Sequence, residues 1–278
     1  MKALILGASG LLGQALRREW TGDEVVGLSV EDVDIRDAAK VQKTIETIRP
    51  EWIVLAAAYT DVDGCESNQE LAFGVNRDGA VHVAEAARRV GARVLFLSSD
   101  YVFDGTKMSA YETGDARNPQ SVYGRTKAEA EIRLLEVLPQ CCIVRTAWMF
   151  GAGGKCFPDT ILKLAATRPS LDVVDDQRGC PTYSVDLARA IPQLCRKGAT
   201  GIVHVTNAGS CSWFEFAREI VRQAGLPTEI KPVNTQQMAR PAQRPAYSIL
   251  SPTSLHHLGI TMPSWQEALR RYLTERKG

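Results

Sequence analysis

Ala3-Leu4-Ile5-Leu6-Gly7-Ala8-Ser9-Gly10-Leu11-Leu12-Gly13 stands at the start of the chain, and the order of residue types in it decides the fold class. Four apolar residues bounded by glycine read as a short strand buried on both faces. Glycines follow at positions 7, 10 and 13, and the pattern beyond them reads as a helix to about Trp20. Glycine permits a tight turn and a close approach of backbone to a ligand. A helix starting at a strand end aims free N–H groups and a positive dipole end at whatever lies there. The pair suits a pyrophosphate. The spacing is G-x-x-G-x-x-G, not the G-x-G-x-x-G of many dehydrogenases. Glycine triplets alone are weak evidence, so the position directly after a strand gives this one its weight, against a purely structural turn.

The same alternation continues outward. Glu24 to Leu28 reads as a strand. Val41, Ile45 and Ile48 fall at helical spacing, in a helix that stops before Pro50. Trp52 to Ala58 is a continuous apolar run, as in a strand buried on both faces. Leu71 to Val90 reads as mostly helical, Arg93 to Leu97 as a strand, and the segment to Pro119 as a loop. A helix from Tyr123 to about Leu138 stops at Pro139, and Cys142 to Thr146 is a fifth strand. Strand–helix alternation of this kind predicts an α/β fold, a Rossmann-type doubly wound parallel sheet with right-handed crossovers. Residues 1–150 are expected to form the dinucleotide-binding domain.

Regularity fades after Gly151. Helices are expected at Pro158 to Ala166, Ser184 to Lys197, Trp213 to Ala224 and Trp265 to Glu275, with strands at Leu171 to Val174 and Gly201 to Thr206. Prolines 227, 232, 241, 245, 252 and 263 break the rest into short pieces. Residues 151–278 are read as a smaller, irregular, mainly substrate-binding domain, with segments near 171–206 returning to the sheet. No flexible linker marks the boundary.

Of 278 residues, 33 are basic and 32 acidic, a formal net charge of +1. Nothing in that balance asks for nucleic acid or an anionic membrane as partner. Seven scattered cysteines without a C-x-x-C favour reduced thiols and a cytoplasmic protein. The four histidines lack ligand spacing, so no metal site is expected. The N-terminal apolar run is broken by glycines and runs into Arg17-Arg18-Glu19, unlike a signal peptide. No apolar run is long enough to span a bilayer.

Tyr123 and Lys127 stand four residues apart on the helix that follows the long loop. They share a face one turn apart, where an ammonium can stabilise phenolate and draw the tyrosine pKa down from about 10 toward neutrality. Such a tyrosine can exchange a proton with a substrate oxygen. The plainer alternative is an amphipathic helix face. Ser98-Ser99-Asp100-Tyr101-Val102-Phe103-Asp104-Gly105 follows the fourth strand directly, at the end where open parallel sheets bind ligands. Its serines could instead be a cap or turn.

Taken together, the glycine loop, a hydroxyl after the fourth strand and Tyr123-x-x-x-Lys127 resemble the extended short-chain dehydrogenase/reductase family. Further stretches resemble its members that reduce dTDP-4-dehydrorhamnose: Ala56 to Thr60, Ser98 to Gly105, Val122 to Lys127, Arg145-Thr146-Ala147-Trp148, Asp176 to Thr182 and Arg244-Pro245. The resemblance covers nearly the whole chain. It implies reduction of a sugar-nucleotide C4 ketone by NADPH, with NADH possible. Tyr123 is implied as the proton donor, Lys127 as its tuning cation and holder of the nicotinamide ribose, and Ser99 as the hydroxyl polarising the carbonyl. Gly7, Gly10, Leu11, Leu12, Gly13, Ser29, Asp34, Ile35, Ala58, Tyr59, Thr60 and Leu97 are implied around the cofactor. Thr60, Asp100, Tyr101 and Trp148 are implied at the sugar nucleotide, and Arg244 at its diphosphate. Without the resemblance, Trp148 reads as a core residue.

Departures leave choices open. Leu55 replaces a usual asparagine. Ser29 replaces a frequent aspartate, which leaves the cofactor preference unfixed. Ala15 stands where some members have a glutamate that helps bind magnesium between subunits. The metal is therefore not expected, and monomer and homodimer both stay open. Another dTDP-4-keto-6-deoxy sugar, such as the precursor of 6-deoxy-L-talose, is an alternative substrate. A non-catalytic dinucleotide-binding regulatory subunit is the alternative from another class.

Overall fold

The computed structural model describes residues 1–276. Lys277 and Gly278, the end of the expected second region, lie outside the described residues. Six strands, β1 (Lys2–Leu6), β2 (Glu24–Leu28), β3 (Trp52–Leu55), β4 (Arg93–Ser99), β5 (Cys142–Thr146) and β6 (Gly201–His204), form one sheet in the order β6-β5-β4-β3-β1-β2. Every pairing in it is parallel.

Successive side chains on a strand point to opposite faces, and both faces here are covered. Ala3 and Ile5 of β1 face one layer with Val54, Leu95 and Val144. That layer is closed by Leu12, Ala15 and Leu16 of α1 (Leu11–Glu19) and by Leu187, Ile191 and Leu194 of a helix at Ser184–Arg196. Leu4 and Leu6 face the other with Ile53, Phe96 and Ile143. There the cover is α2 (Ala38–Ile48), α3 (Gly79–Val90) and α4 (Val122–Val137). Burial on both sides is why these strands read as unbroken apolar runs.

Strand order reverses at β1, which lies between β2 and β3. Such a switch point opens a crevice at the carboxyl ends of the strands. Here the loop after β1 lies against both neighbours: Gly7 and Ala8 donate to the Leu28 carbonyl, while Ala56 and Ala57 donate to that of Leu6. Because Ala56 and Ala57 share one acceptor, the chain leaves the sheet at Leu55. The expected strand to Ala58 is therefore shorter, and residues 56–60 lie at the crevice.

The expected helix from Leu71 to Val90 is also different in detail. An α-helical turn at Gln69–Phe73 passes into a π-helical turn at Gly74–Asp78 before α3 begins. π turns occur mostly singly and near functional sites. The side chain of Asn76, in this turn, is buried at the crevice.

The later residues build a second core from Phe150, Tyr183, Phe216, Trp265, Leu269 and Tyr272. Helices Phe157–Ala165, Trp213–Ala224 and Trp265–Glu275 surround it. Ser170–Val174 pairs in parallel with Glu229–Val233 outside the main sheet, whereas Gly201–His204 joins that sheet as its edge strand. A proline-punctuated strap, residues 240–251, then crosses back, bonding through Ser248 N–H to Arg178 and through Ile249 carbonyl to Tyr111. Among the described residues no helix is long and apolar enough to cross a membrane.

Candidate active site

The glycine loop is a cradle that side chains would fill. Gly7 has φ +95°, and a Cβ there would lie 2.5 Å from the Ala57 nitrogen. One on Gly13 would lie 2.1 Å from the Gly7 carbonyl oxygen. Gly10 is the N-cap of α1 and offers no side-chain cap, so the first N–H groups of α1 have no partner from the cap. Leu12 is buried beneath this turn, and Leu11 packs toward Gly151 and Gly154. These features fit a dinucleotide pyrophosphate.

At the end of β2, the Ser29 N–H and hydroxyl both donate to Asp32 Oδ2 at 2.8 Å. Asp34 is engaged by the Arg36 guanidinium. Ile35 is buried, and its carbonyl meets His82 Nδ1 at 3.0 Å.

The helix α4 delivers the reactive pair. Ser121 caps it by accepting from the Gly124 N–H, and Glu66 accepts from the Val122 N–H at 2.8 Å. Gly124 lets the helix lie against Tyr101, since a Cβ there would be 2.3 Å from the Tyr101 carbonyl oxygen. Tyr123, Lys127 and Glu131 then follow at four-residue intervals along one face. The Lys127 side chain is buried, donates to the Leu97 carbonyl at 2.9 Å and lies over the Phe96 ring. Burial brings its pKa down to about 8, opposed by the negative charge of Glu131.

Glu131 itself is buried in a polar knot. It accepts two hydrogen bonds from Arg145, at 2.9 and 2.6 Å, one from Ser98 at 2.5 Å and one from Arg117 at 2.5 Å. Burial works to raise its pKa, yet Arg145 holds it below the ordinary carboxylate range.

The expectation that Tyr123 titrates toward neutrality is corrected. Burial pushes its pKa above the ordinary phenol value and the Asp100 charge adds to this, while Ser99 acts in the opposite sense. The physical reason is the phenol's desolvation beside the enclosed Asp100, which outweighs Ser99. In the free protein Tyr123 is a neutral phenol.

Ser99, Asp100 and Tyr101 meet Tyr123 from the end of β4. Ser99 Oγ donates to Asp100 Oδ1 at 2.9 Å and accepts from the Tyr101 N–H at 3.2 Å. Asp100 is fully enclosed, and its second oxygen accepts from Ser248 at 2.6 Å. Burial lifts its pKa to about 6 against the hydrogen bonds from Ser248 and Ser99. The Tyr101 ring packs edge-on against Tyr123 at 5.6 Å.

Ala58, Tyr59 and Thr60 run on from β3 across the same crevice. Asn76 fixes them, accepting from the Tyr59 N–H at 2.8 Å and donating to the Tyr59 carbonyl and to Thr126 of α4, both at 3.0 Å. Leu97, Ser99, Asp100, Tyr101, Tyr123 and Lys127 thus form one cluster. Trp148 packs against the neighbouring core that holds Val102 and Ala128. Its backbone has φ +45°, and its indole stacks on Trp213 at 3.5 Å and covers Gly179. Arg244 joins the cluster's rim through a two-pronged ion pair with Asp63.

Asn76, Glu131, Ser248 and Asp63 were not anticipated. Only Glu131 carried a sequence signal, its spacing of four residues from Lys127. The others act across long separations.

The family profile described as "RmlD substrate binding domain" matches residues 1–277. The chain is similar to the spore coat polysaccharide biosynthesis protein SpsK of Bacillus subtilis, at 40% identity over 99% of this chain and 98% of that one. It is likewise similar to the dTDP-4-dehydrorhamnose reductase of Mycobacterium tuberculosis, at 40% identity over 96% of this chain and 91% of that one. Among solved structures, dTDP-4-dehydrorhamnose reductase from Bacillus anthracis in complex with NADP superposes with a TM-score of 0.96. That match has 38% identity and covers 99% of this chain and 100% of that one.

Proposed function

The chain belongs to the RmlD substrate binding domain family, and on that premise we propose that it reduces the C4 ketone of dTDP-4-dehydro-β-L-rhamnose to give dTDP-β-L-rhamnose. The observation that carries this reading is the partly exposed Tyr123 with the buried Lys127 and Ser99 beside a glycine cradle at the sheet's switch point.

NADPH, when bound, supplies the hydride that C4 receives. Gly7, Gly10, Leu11, Leu12 and Gly13 hold its pyrophosphate, and Ser29, Asp34 and Ile35 its adenosine end. Ala58, Tyr59, Thr60 and Leu97 line its remaining length. Asp32, four residues beyond the end of β2, keeps its Oδ1 as an acceptor for ribose hydroxyls, which supports use of NADH as well.

Tyr123 gives its phenolic proton to the C4 oxygen. Its raised pKa suits an acid that must be protonated at neutral pH. Lys127 then stabilises the phenolate and holds the nicotinamide ribose. The Ser99 hydroxyl turns its proton from Asp100 to the substrate oxygen and polarises the carbonyl. Thr60, Asp100, Tyr101 and Trp148 border the sugar nucleotide, and Arg244 takes the diphosphate. The assay supplies dTDP-4-dehydro-L-rhamnose with NADPH and then with NADH, following loss of the reduced-nicotinamide absorbance. Oxidation of either supports the proposal; oxidation of neither overturns it. Product NMR at C4 separates the rhamnose from the 6-deoxy-L-talose epimer.

A further inference from the structure

Arg244, a largely buried side chain on the strap, donates three hydrogen bonds. Its Nη1 donates to Asp63 Oδ1 at 3.0 Å and to the Ala242 carbonyl at 2.9 Å, and its Nη2 donates to Asp63 Oδ2 at 3.0 Å. The next residue, Pro245, is pressed against Gly105, where a Cβ would lie 2.6 Å from the proline Cβ. Asp63 is itself on the short helix Val62–Ser67, which follows Thr60 out of the crevice.

A guanidinium has five N–H donors in a rigid planar fork. The Asp63 carboxylate takes the end formed by Nη1 and Nη2, and Ala242 takes the outer N–H of Nη1. Among the described residues the Nε–H and the remaining N–H of Nη2 make no hydrogen bond of ordinary length, and the Tyr101 phenol stands beside the guanidinium. These two N–H groups are parallel and coplanar, the side-on edge that pairs with two oxygens of one phosphate. Asp63 is in turn neutralised from further directions, by the Ala242 N–H at 3.2 Å and by Arg240 at 3.3 Å. A diphosphate at the free edge therefore does not meet a bare carboxylate.

We propose that Asp63 is a positioning residue for sugar-nucleotide binding: by occupying the end-on edge of Arg244, it presents the side-on edge to the diphosphate. This rests on the reading of Arg244 as the diphosphate ligand. It goes further by assigning the orientation of the guanidinium to a carboxylate 181 residues away in sequence, and it makes Asp63 a partner in binding, not a competitor of the substrate.

Calorimetric titration of the full chain with dTDP and with thymidine tests it, comparing wild type, Asp63→Asn, Arg244→Ala and the double variant. Asp63→Asn keeps the side-chain shape but loses the charge and one acceptor. The expected result is dTDP binding weaker by about tenfold with thymidine binding unchanged, and little further loss when Asp63→Asn is added to Arg244→Ala. In turnover the same variant raises KM for the sugar nucleotide by about tenfold and leaves kcat within about twofold. Tighter dTDP binding by Asp63→Asn would mean that Asp63 competes with the diphosphate, and equal losses for dTDP and thymidine would mean a general structural role. Either result overturns the proposal. A wild-type chain that binds neither dTDP nor thymidine overturns the sugar-nucleotide reading beneath it.

Discussion

The Lys127 ammonium donates to the Leu97 main-chain carbonyl at 2.9 Å, one helical turn beyond Tyr123. A strand end thus holds the cation that the helix brings, and the pair closes the inner wall of the crevice. Burial draws the lysine pKa from 10.5 to about 8, so the ammonium persists at neutral pH at a cost to stability.

That cost predicts a trade between stability and turnover. The unfolded chain holds its lysine proton up to the ordinary pKa of 10.5, the folded chain only to about 8. Between these values the unfolded state binds more protons, so this group makes stability rise with pH. Below about 8 both states are charged and the full penalty applies. Lys127→Met should therefore stabilise the protein at pH 7 by about 1–2 kcal/mol, once the unpaired Leu97 carbonyl is set against the relieved burial. Turnover should fall in the same variant. Denaturant unfolding gives the first quantity, and a less stable variant would contradict it.

The same shift sets a pH dependence for activity. As pH rises through about 8, Lys127 loses the charge that stabilises phenolate. A profile of kcat/KM should fall on its alkaline side in that region. A profile that climbs through it would mean the charged lysine is not needed.

The buried Glu131–Arg145 pair should be costly to break on one side. Arg145→Met leaves the enclosed Glu131 carboxylate without its two-pronged partner, a loss of about 3 kcal/mol. Glu131→Leu with Arg145→Met removes both charges and should recover most of it. Denaturant midpoints of the single and double variants measure the difference. Equal losses in both would assign the effect to packing alone.

Gly13→Ala puts a methyl group 2.1 Å from the Gly7 carbonyl oxygen and must displace the cradle. NADPH binding, followed by titration of the reduced-nicotinamide fluorescence, should weaken by at least about tenfold. Unchanged affinity would place the pyrophosphate elsewhere.

Features formed by neighbouring residues were legible in the sequence. The strand, the three glycines and the start of α1 lie within a single stretch, and the apolar runs of β1 and β3 report burial on both faces. Tyr123 and Lys127 share a helix turn, so their common face could be read directly. The raised pKa of Tyr123 could not, because it comes from desolvation and from Asp100, 23 residues earlier at the end of β4, and only the folded sheet brings them together. Asn76 escaped notice because a π turn has no apolar period of its own. The Asp63–Arg244 and Asp100–Ser248 contacts join segments 181 and 148 residues apart. Nothing local in either partner announces the other.

Turnover and cofactor binding by Tyr123→Phe test the central claim most directly. The substitution removes one hydroxyl and keeps the ring that packs against Tyr101. With dTDP-4-dehydro-L-rhamnose and NADPH, kcat should fall by about 10²–10⁴-fold while NADPH binds as in the wild type. A variant that retains full turnover would contradict the assignment of Tyr123 as the proton donor.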